Sequence, residues 1–316
     1  MSDRSDGTLV VGDATIDLYP VGGGPTEPGG RFEWHVGGTA TNVARWLAAL
    51  DERATLVTNV GTDRVGELAA RRLDAGPVRT DRVAAVDAAS PLTLYVPTAD
   101  GDRWDAWVEG SCYGFTPPDD PASLVGGHER VHLEGVTLPT AVNRADVLRL
   151  ARAAAEGDAL VSFDLNGREN QWRGPAAYRA ALREVLPHCD LLFAGTDDLA
   201  VAGVEETPEG LAACLPAGGS VVAFLTDGAS ATVGFRVGDG AITERVAVTP
   251  PSVAVATTAG AGDAFAAAVL AARGDGVTDL RELAAIGNAA GAAAATTVGS
   301  FEPEAVEAMA TLLGDG

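Results

Sequence analysis

Short apolar runs rich in Val, Leu and Phe recur along the chain, and between them apolar residues return every three to four positions. Residues 8–12, Ala54–Gly61, 130–133, 159–164, 190–193 and 221–225 read as strands. Between the first two, Val43, Trp46, Leu47 and Leu50 carry the helical period from Thr39 onward, so the opening segment is a βαβ unit. The later runs alternate with alanine-rich helical stretches. That alternation predicts a mostly parallel sheet between helix layers, a three-layer α/β/α fold.

Two segments break the pattern. A Gly- and Pro-rich stretch over 20–30 leads into Arg31-Phe32-Glu33-Trp34-His35-Val36, which reads as an exposed hairpin strand. Leu92-Thr93-Leu94-Tyr95-Val96 and Trp104-Asp105-Ala106-Trp107-Val108 flank a turn as a second hairpin. Insertions at about 18–36 and 88–112 would together form one small β lid, leaving residues 1–316 as a single domain. The C-terminal helix is expected to pack on the core. Ligands of parallel sheets bind beyond the carboxyl ends of the strands, so the residues following each strand carry the candidate chemistry.

Composition narrows that chemistry. The 316 residues are 47% hydrophobic, enough for a sizeable core. The opening Met1-Ser2-Asp3-Arg4-Ser5-Asp6 has no apolar h-region and no long apolar span follows, which predicts a cytoplasmic protein without a membrane partner. All 22 basic residues are Arg, against 44 acidic residues, for a net charge of −22. Such a surface repels itself in dilute buffer but is screened at molar salt, where the Debye length falls to roughly 3 Å, so a halophile's cytosol is expected. Drift from Lys to Arg would leave the acidic excess unexplained. Nucleic acid is excluded as a partner on the same ground.

Without lysine there is no Walker A Lys, Schiff-base Lys or protein-kinase Lys, so phosphate charge must be met by backbone, Arg and metal. Cys112, Cys189 and Cys214 are odd in number and lack a Cys-x-x-Cys spacing, so they read as reduced thiols rather than a zinc site. His35, His128, His132 and His188 show no metal-ligand spacing and are read as packing or surface residues.

Thr257-Thr258-Ala259-Gly260-Ala261-Gly262-Asp263 runs directly into the apolar stretch 264–270, placing a carboxylate where a glycine turn becomes a helix. Unpaired amides at a helix N-terminus suit a phosphoryl group, and Asp263 could accept a proton from an attacking hydroxyl. A second glycine turn, Gly37-Gly38-Thr39-Ala40-Thr41-Asn42, opens the first helix. Asn42, with Asp13 and Asp17 after the first strand, offers the amide and carboxylate partners that a hydroxyl-rich ligand needs; the alternative is that Thr39 or Thr41 merely caps the helix. Arg168 follows Asp164 and Asn166 at a strand end, where its fork would answer a phosphate or an acidic sugar, or else form a surface ion pair. Tyr95, Trp104 and Trp107 would stack on a sugar face or bury against a second lid in a homodimer.

Taken together, Gly37-Gly38-x3-Asn42, Gly61-Thr62-Asp63-Arg64-Val65-Gly66, Asp164-Leu165-Asn166-Gly167-Arg168 and Gly260-Ala261-Gly262-Asp263 resemble the ribokinase-like, or PfkB, carbohydrate kinases over essentially the whole chain. The opening Gly12-Asp13-Ala14-Thr15-Ile16-Asp17-Leu18-Tyr19-Pro20, Phe32 and the Gly37-Gly38 helix look most like the fructokinase branch. The resemblance implies that Asp17, Gly38 and Asn42 hold sugar hydroxyls, that Asp263 is the base, and that the amides of Ala261, Gly262 and Asp263 form the anion hole. It also implies ATP over the second half, with Thr226, Asp227, Gly228 and Thr258 near phosphates or ribose and Asn288 and Gly291 near adenine. Asn288 could equally serve close helix packing, and residues 226–228 could equally be a turn.

Departures from the family pattern carry their own expectations. Thr257 stands where the late motif usually begins with Asp, in a region associated with a monovalent cation, so that requirement stays open. Gly195-Thr196-Asp197-Asp198 replaces an Asn-x-x-Glu linked to Mg²⁺, leaving Asp198 as a water-mediated metal candidate, with Mg²⁺ held chiefly by ATP phosphates. Val108 stands where relatives acting on 2-keto-3-deoxygluconate place Arg, which argues for a neutral sugar, fructose first, although Arg103 could reach in from the hairpin. The other acceptors of such machinery, 2-keto-3-deoxygluconate, a nucleoside or a sugar phosphate, remain alternatives, as does a non-catalytic sensor. A Rossmann dehydrogenase is disfavoured, because the first strand is not followed by Gly-x-Gly-x-x-Gly.

Overall fold

The computed structural model describes residues 6–21, 29–98, 101–216 and 218–314. Thirteen strands are β1 (Thr8–Val11), β2 (Thr15–Val21), β3 (Arg31–Gly37), β4 (Ala54–Gly61), β5 (Arg79–Val86), β6 (Leu92–Thr98), β7 (Gly101–Trp107), β8 (Arg130–Glu134), β9 (Leu160–Asp164), β10 (Leu191–Gly195), β11 (Ser220–Thr226), β12 (Thr232–Gly238) and β13 (Ala241–Val248). A nine-stranded sheet runs in the order β13-β12-β11-β10-β9-β8-β1-β4-β5. It is parallel from β11 to β5, and β12 and β13 add to it antiparallel.

Strand residues alternate between two buried clusters, as a period of two requires for a sheet covered on both faces. Leu9 and Val11 bury with Leu133, Val161, Leu150 and Leu182 on one side, while Val10 buries with Ala44, Leu47, Phe265 and Leu283 on the other. This is the expected α/β/α arrangement. The alanines of helices Ala261–Gly274 and Leu280–Ala294 let the two approach closely: a Cβ on Gly287 would lie 2.6 Å from the Phe265 ring. The C-terminal helix Pro303–Gly314 buries Ala305 and Met309 against the same layer.

A second sheet, ordered β3-β2-β6-β7, draws its strands from residues 15–37 and 92–107. Of the expected lid insertions, residues 22–28, 99 and 100 lie outside the described residues. The polypeptide leaves β1 through Gly12-Asp13-Ala14 directly into β2, so the small sheet starts at the carboxyl end of a central strand. Strands β2, β5, β12 and β13 add to those read from periodicity. No helix among the described residues is long and apolar enough to cross a membrane.

Candidate active site

A cavity of about 1320 Å³ lies across the carboxyl ends of the central strands and under one face of the small sheet. Asp13, Thr15 and Asp17 line one end, immediately after β1. One Asp13 carboxylate oxygen accepts hydrogen bonds from the Thr39 hydroxyl at 2.9 Å and the Ala40 amide at 3.3 Å. It thereby caps helix Thr39–Ala49, whose N-cap residue Gly38 has no side chain to do so. Neither Thr39 nor Thr41 is the cap; the Thr41 hydroxyl donates to the Asp13 carbonyl at 3.0 Å. Gly38 needs its φ of 100°, and a Cβ there would lie 2.7 Å from the same carbonyl.

Asp17 is held by the Thr15 hydroxyl at 2.7 Å and the Ser300 hydroxyl at 3.2 Å. Gly37 does not line the cavity; it makes room, because a Cβ on it would stand 1.9 Å from an Asp17 oxygen. Burial pushes the Asp17 carboxyl up to about 6, against the pull of those two hydroxyls. Asn42 and Asp263, 221 positions apart, meet at 2.7 Å, the amide nitrogen donating to the carboxylate. The Asn42 Oδ1 is buried with no hydrogen-bond partner, and its residue lines the cavity. Such an acceptor is costly unless a ligand hydroxyl donates to it.

Asp263 sits in the first turn of helix Ala261–Gly274. Gly260 precedes it at a φ of 72°, packed so tightly that a Cβ would lie 2.3 Å from the Ser300 carbonyl oxygen. The first helical bond is Ala264 N–H to Gly260 C=O, so the amides of Gly262 and Asp263 have no helical acceptor. The Ala261 amide instead donates to the Thr258 carbonyl at 3.3 Å. A Cβ on Gly262 would meet nothing within 4 Å, which leaves this turn open to the cavity. Burial, then the negative charge of Glu134, raises the Asp263 carboxyl well above the usual range. The same two causes raise Asp164 and Asp13.

Arg168 projects into this cavity, open to solvent there yet surrounded by protein. Burial opposes its charge, but Asp198, Tyr113 and Asp263 outweigh that and hold the guanidinium protonated. One of its nitrogens donates to the side-chain oxygen of Asn166 at 2.8 Å. Among the described residues no carboxylate forms a surface ion pair with it. One cavity thus gathers the buried Asp263 carboxylate, its partner Asn42, two helix amides without a helical acceptor and the Arg168 guanidinium, groups of the kind that phosphoryl transfer uses.

A family model described as pfkB family carbohydrate kinase matches residues 6–306. The chain belongs to the PfkB family of carbohydrate kinases. It is 28% identical to a fructokinase of Klebsiella pneumoniae over 96% of this chain and 95% of that one. It is 30% identical to an ATP-dependent ribose-1-phosphate kinase of Halopiger xanaduensis over 88% and 86%. Among solved structures, the fructokinase with bound ATP from Xylella fastidiosa superposes with a TM-score of 0.83 at 18% identity, covering 99% of both chains. This PfkB protein is thus a sugar kinase, a phosphotransferase.

In this PfkB kinase the far end of the cavity is lined by Thr226, Gly228, Thr258, Asn288, Gly291, Ala292, Ala295, Pro250, Pro251, Val253 and Val255. Asp227 is off that wall and accepts from the Thr196 hydroxyl at 3.2 Å. Both ends of the Asn288 amide are used within the fold: its oxygen accepts from Thr232 at 2.6 Å and its nitrogen donates to the Val248 carbonyl at 2.9 Å. Asp198 also has a structural task. Its two oxygens accept the amides of Gly167 at 2.6 Å and Gly195 at 2.8 Å, joining the loops after β9 and β10, and burial raises its carboxyl to about 6. No group of three or more His, Cys, Asp or Glu among the described residues could hold a metal ion. Thr257 is buried, its hydroxyl accepting the Ala259 amide at 3.2 Å.

On the small sheet, Trp104 and Val108 line the cavity, whereas Tyr95 is buried between Tyr19 and Trp104, with ring centroids 5.3 and 4.9 Å away. Trp107 is 57% exposed and pairs with Leu92, so it stands on the opposite face from Trp104 and Tyr95. The Arg103 side chain lies outside the described part of the structure. Sequence reasoning missed Ser300, Thr15, Thr93 and Tyr113 on the wall, and the buried Glu134 behind it. Glu134 ends β8, so the rule about strand ends would have found it; nothing in the sequence singles out Ser300.

Proposed function

We propose that this kinase transfers the γ-phosphoryl group of ATP to a primary hydroxyl of a neutral sugar, fructose foremost. The observation that carries the reading is the position of Asp263, bonded to Asn42 on the acceptor side and placed beside the free amides at the start of its helix. The hydroxyl proton passes to the Asp263 carboxylate as the oxygen attacks the γ-phosphorus. The bond to the β-phosphate oxygen breaks, and ADP leaves with that electron pair. The raised affinity of Asp263 for a proton, caused first by its burial, strengthens it as a base. The amides of Gly262 and Asp263, together with Arg168, meet the charge that spreads over the transferred group. ATP is supported by the solved relative that carries it and by the apolar slot of Pro250, Pro251, Ala292 and Ala295, which suits an adenine. Magnesium, if it enters, fits on the nucleotide phosphates, with Asp198 reached through water.

Neutrality of the acceptor rests on charge. Asp13 and Asp17 face the sugar end, and Arg168 is the one cationic side chain lining the cavity among the described residues. An acidic acceptor would meet two carboxylates there without a dedicated counter-charge. The opposite face of the small sheet exposes Phe32, Trp34 and Trp107, which supports a homodimer through the lids. The net charge of −22 supports a high-salt working medium. An acceptor panel with purified enzyme and ATP tests the assignment. Fructose should give the highest kcat/KM, well above 2-keto-3-deoxygluconate, nucleosides and ribose-1-phosphate; a preference for an anionic acceptor would overturn it.

A further inference from the structure

His132 and Glu134 alternate along β8 and therefore share one face of a central strand, both with no solvent exposure. The register sets Ser162 of β9 beside His132 and Asp164 beside Glu134. One His132 nitrogen lies 2.9 Å from the Ser162 hydroxyl, and its Nε2 lies 3.1 Å from a Glu134 oxygen. The second Glu134 oxygen accepts from the Asn166 amide nitrogen at 2.9 Å, and the Asn166 oxygen accepts from Arg168 at 2.8 Å. Neither His132 nor Glu134 lines the cavity, whereas Asn166 and Arg168 do.

The direction of this chain is fixed by chemistry. Arginine can only donate, so the Asn166 oxygen must face it and the Asn166 nitrogen must face Glu134. A carboxylate can only accept, so the His132 proton facing it sits on Nε2. Asn166 takes a left-handed φ of 39° to bridge the two, a conformation that Asn tolerates better than most residues. Close approach of the two strand ends permits the bridge: a Cβ on Gly135 would lie 2.0 Å from the Leu165 carbonyl oxygen. A carboxylate with no exposure is expensive to maintain, and apolar packing would fill the space at lower cost. The guanidinium it anchors is the only cation on the cavity wall among the described residues.

We propose that His132, Glu134 and Asn166 form a buried positioning relay that aims the Arg168 guanidinium at the transferred phosphoryl group. Glu134 holds Asn166, His132 holds Glu134, and the flexible Arg side chain enters the cavity already oriented. The inference rests on the role assigned above to Arg168, and a double-mutant cycle separates the two.

Arg168→Ala should lower kcat about 10³-fold, as loss of a phosphoryl-stabilising arginine does. Glu134→Ala should lower kcat roughly 10²-fold by misplacing that arginine, with KM for sugar and ATP within about threefold of wild type. In the Arg168→Ala background, Glu134→Ala should add less than about threefold. Glu134→Gln should recover most of the loss, because its carbonyl accepts from Asn166 while its amide donates to His132 in the other tautomer. Multiplying losses in the double variant, or a Gln variant as slow as the Ala variant, overturns the relay while leaving Arg168 in place. Unchanged turnover in Arg168→Ala rejects both. Should Glu134→Ala fail to fold, Asn166→Gly, which suits the left-handed backbone, carries the same cycle with the same two readings.

Discussion

The two ends of the cavity are built from different materials. The acceptor end presents buried ionisable and polar groups, Asp13, Asp17, Asn42 and Asp263, most of them locked by a hydroxyl or amide partner within the fold. The nucleotide end presents small and apolar residues, Gly228, Gly291, Ala292, Ala295 and Pro250, plus the backbone of the Gly260 turn. On the proposed reading, acceptor recognition depends on charge and on hydrogen bonds to buried groups, where each lost partner is felt. On the same reading, nucleotide recognition depends on shape and on amides that no side chain can replace. Asp263 is where the two meet, and in this lysine-free chain the described part of the cavity wall offers the phosphate side Arg168 and the helix amides.

The comparison breaks first at Asp263. Asp263→Asn should lower kcat by roughly 10³-fold in steady-state assays, the loss typical of a removed general base; turnover within tenfold of wild type would place the base elsewhere. A subtler break concerns the price of the buried Asp17. Its carboxyl lies at about 6 in the fold against an ordinary 3.8. Its contribution to stability is thus complete below the ordinary value and is lost as pH rises through about 6. Asp17→Asn has no such penalty, so the stability of the variant relative to wild type should grow by up to about 3 kcal/mol between pH 4 and 7, read from denaturant midpoints. A difference that is flat with pH would mean that Asp17 is not desolvated. The smallest effect sharpens the geometry. Gly37→Ala puts a Cβ where an Asp17 oxygen now sits, so KM for the sugar should rise about tenfold, the worth of one hydrogen bond, while KM for ATP stays put. Equal changes in both constants would dissolve the division between the two ends.

Much of the large sheet was legible because its strands are short apolar runs separated by helical periods, as at Ala54–Gly61 and 190–193. Other strands hid for local reasons. Strand β5 carries Arg79, Asp81 and Arg82 on a sheet edge, β2 contains Pro20 one residue before its end at Val21, and the β12–β13 hairpin was overlooked despite its Asp239-Gly240 turn, both residues with positive φ. The glycine turns opened by Gly37-Gly38 and Gly260 were readable because backbone conformation or tight packing demands glycine at those three positions. Ser300 and the His132-Glu134 pair were not. Their meaning arises from contacts over 283 positions for Ser300 with Asp17, and from the cross-strand register for His132, neither of which leaves a local pattern. His132 looks like a packing histidine in sequence because it is indeed packed; only its partners reveal the connection to Arg168.

The central claim is that Asp263 acts as a base on the acceptor side while the nucleotide is held by shape and backbone. Calorimetric titration of ATP into Asp263→Asn tests it most directly, since this variant loses the carboxylate and keeps the amides. ATP should bind this variant as tightly as wild type or more tightly, because a negative charge beside the phosphates has gone. Nucleotide affinity that collapses in step with turnover would contradict it.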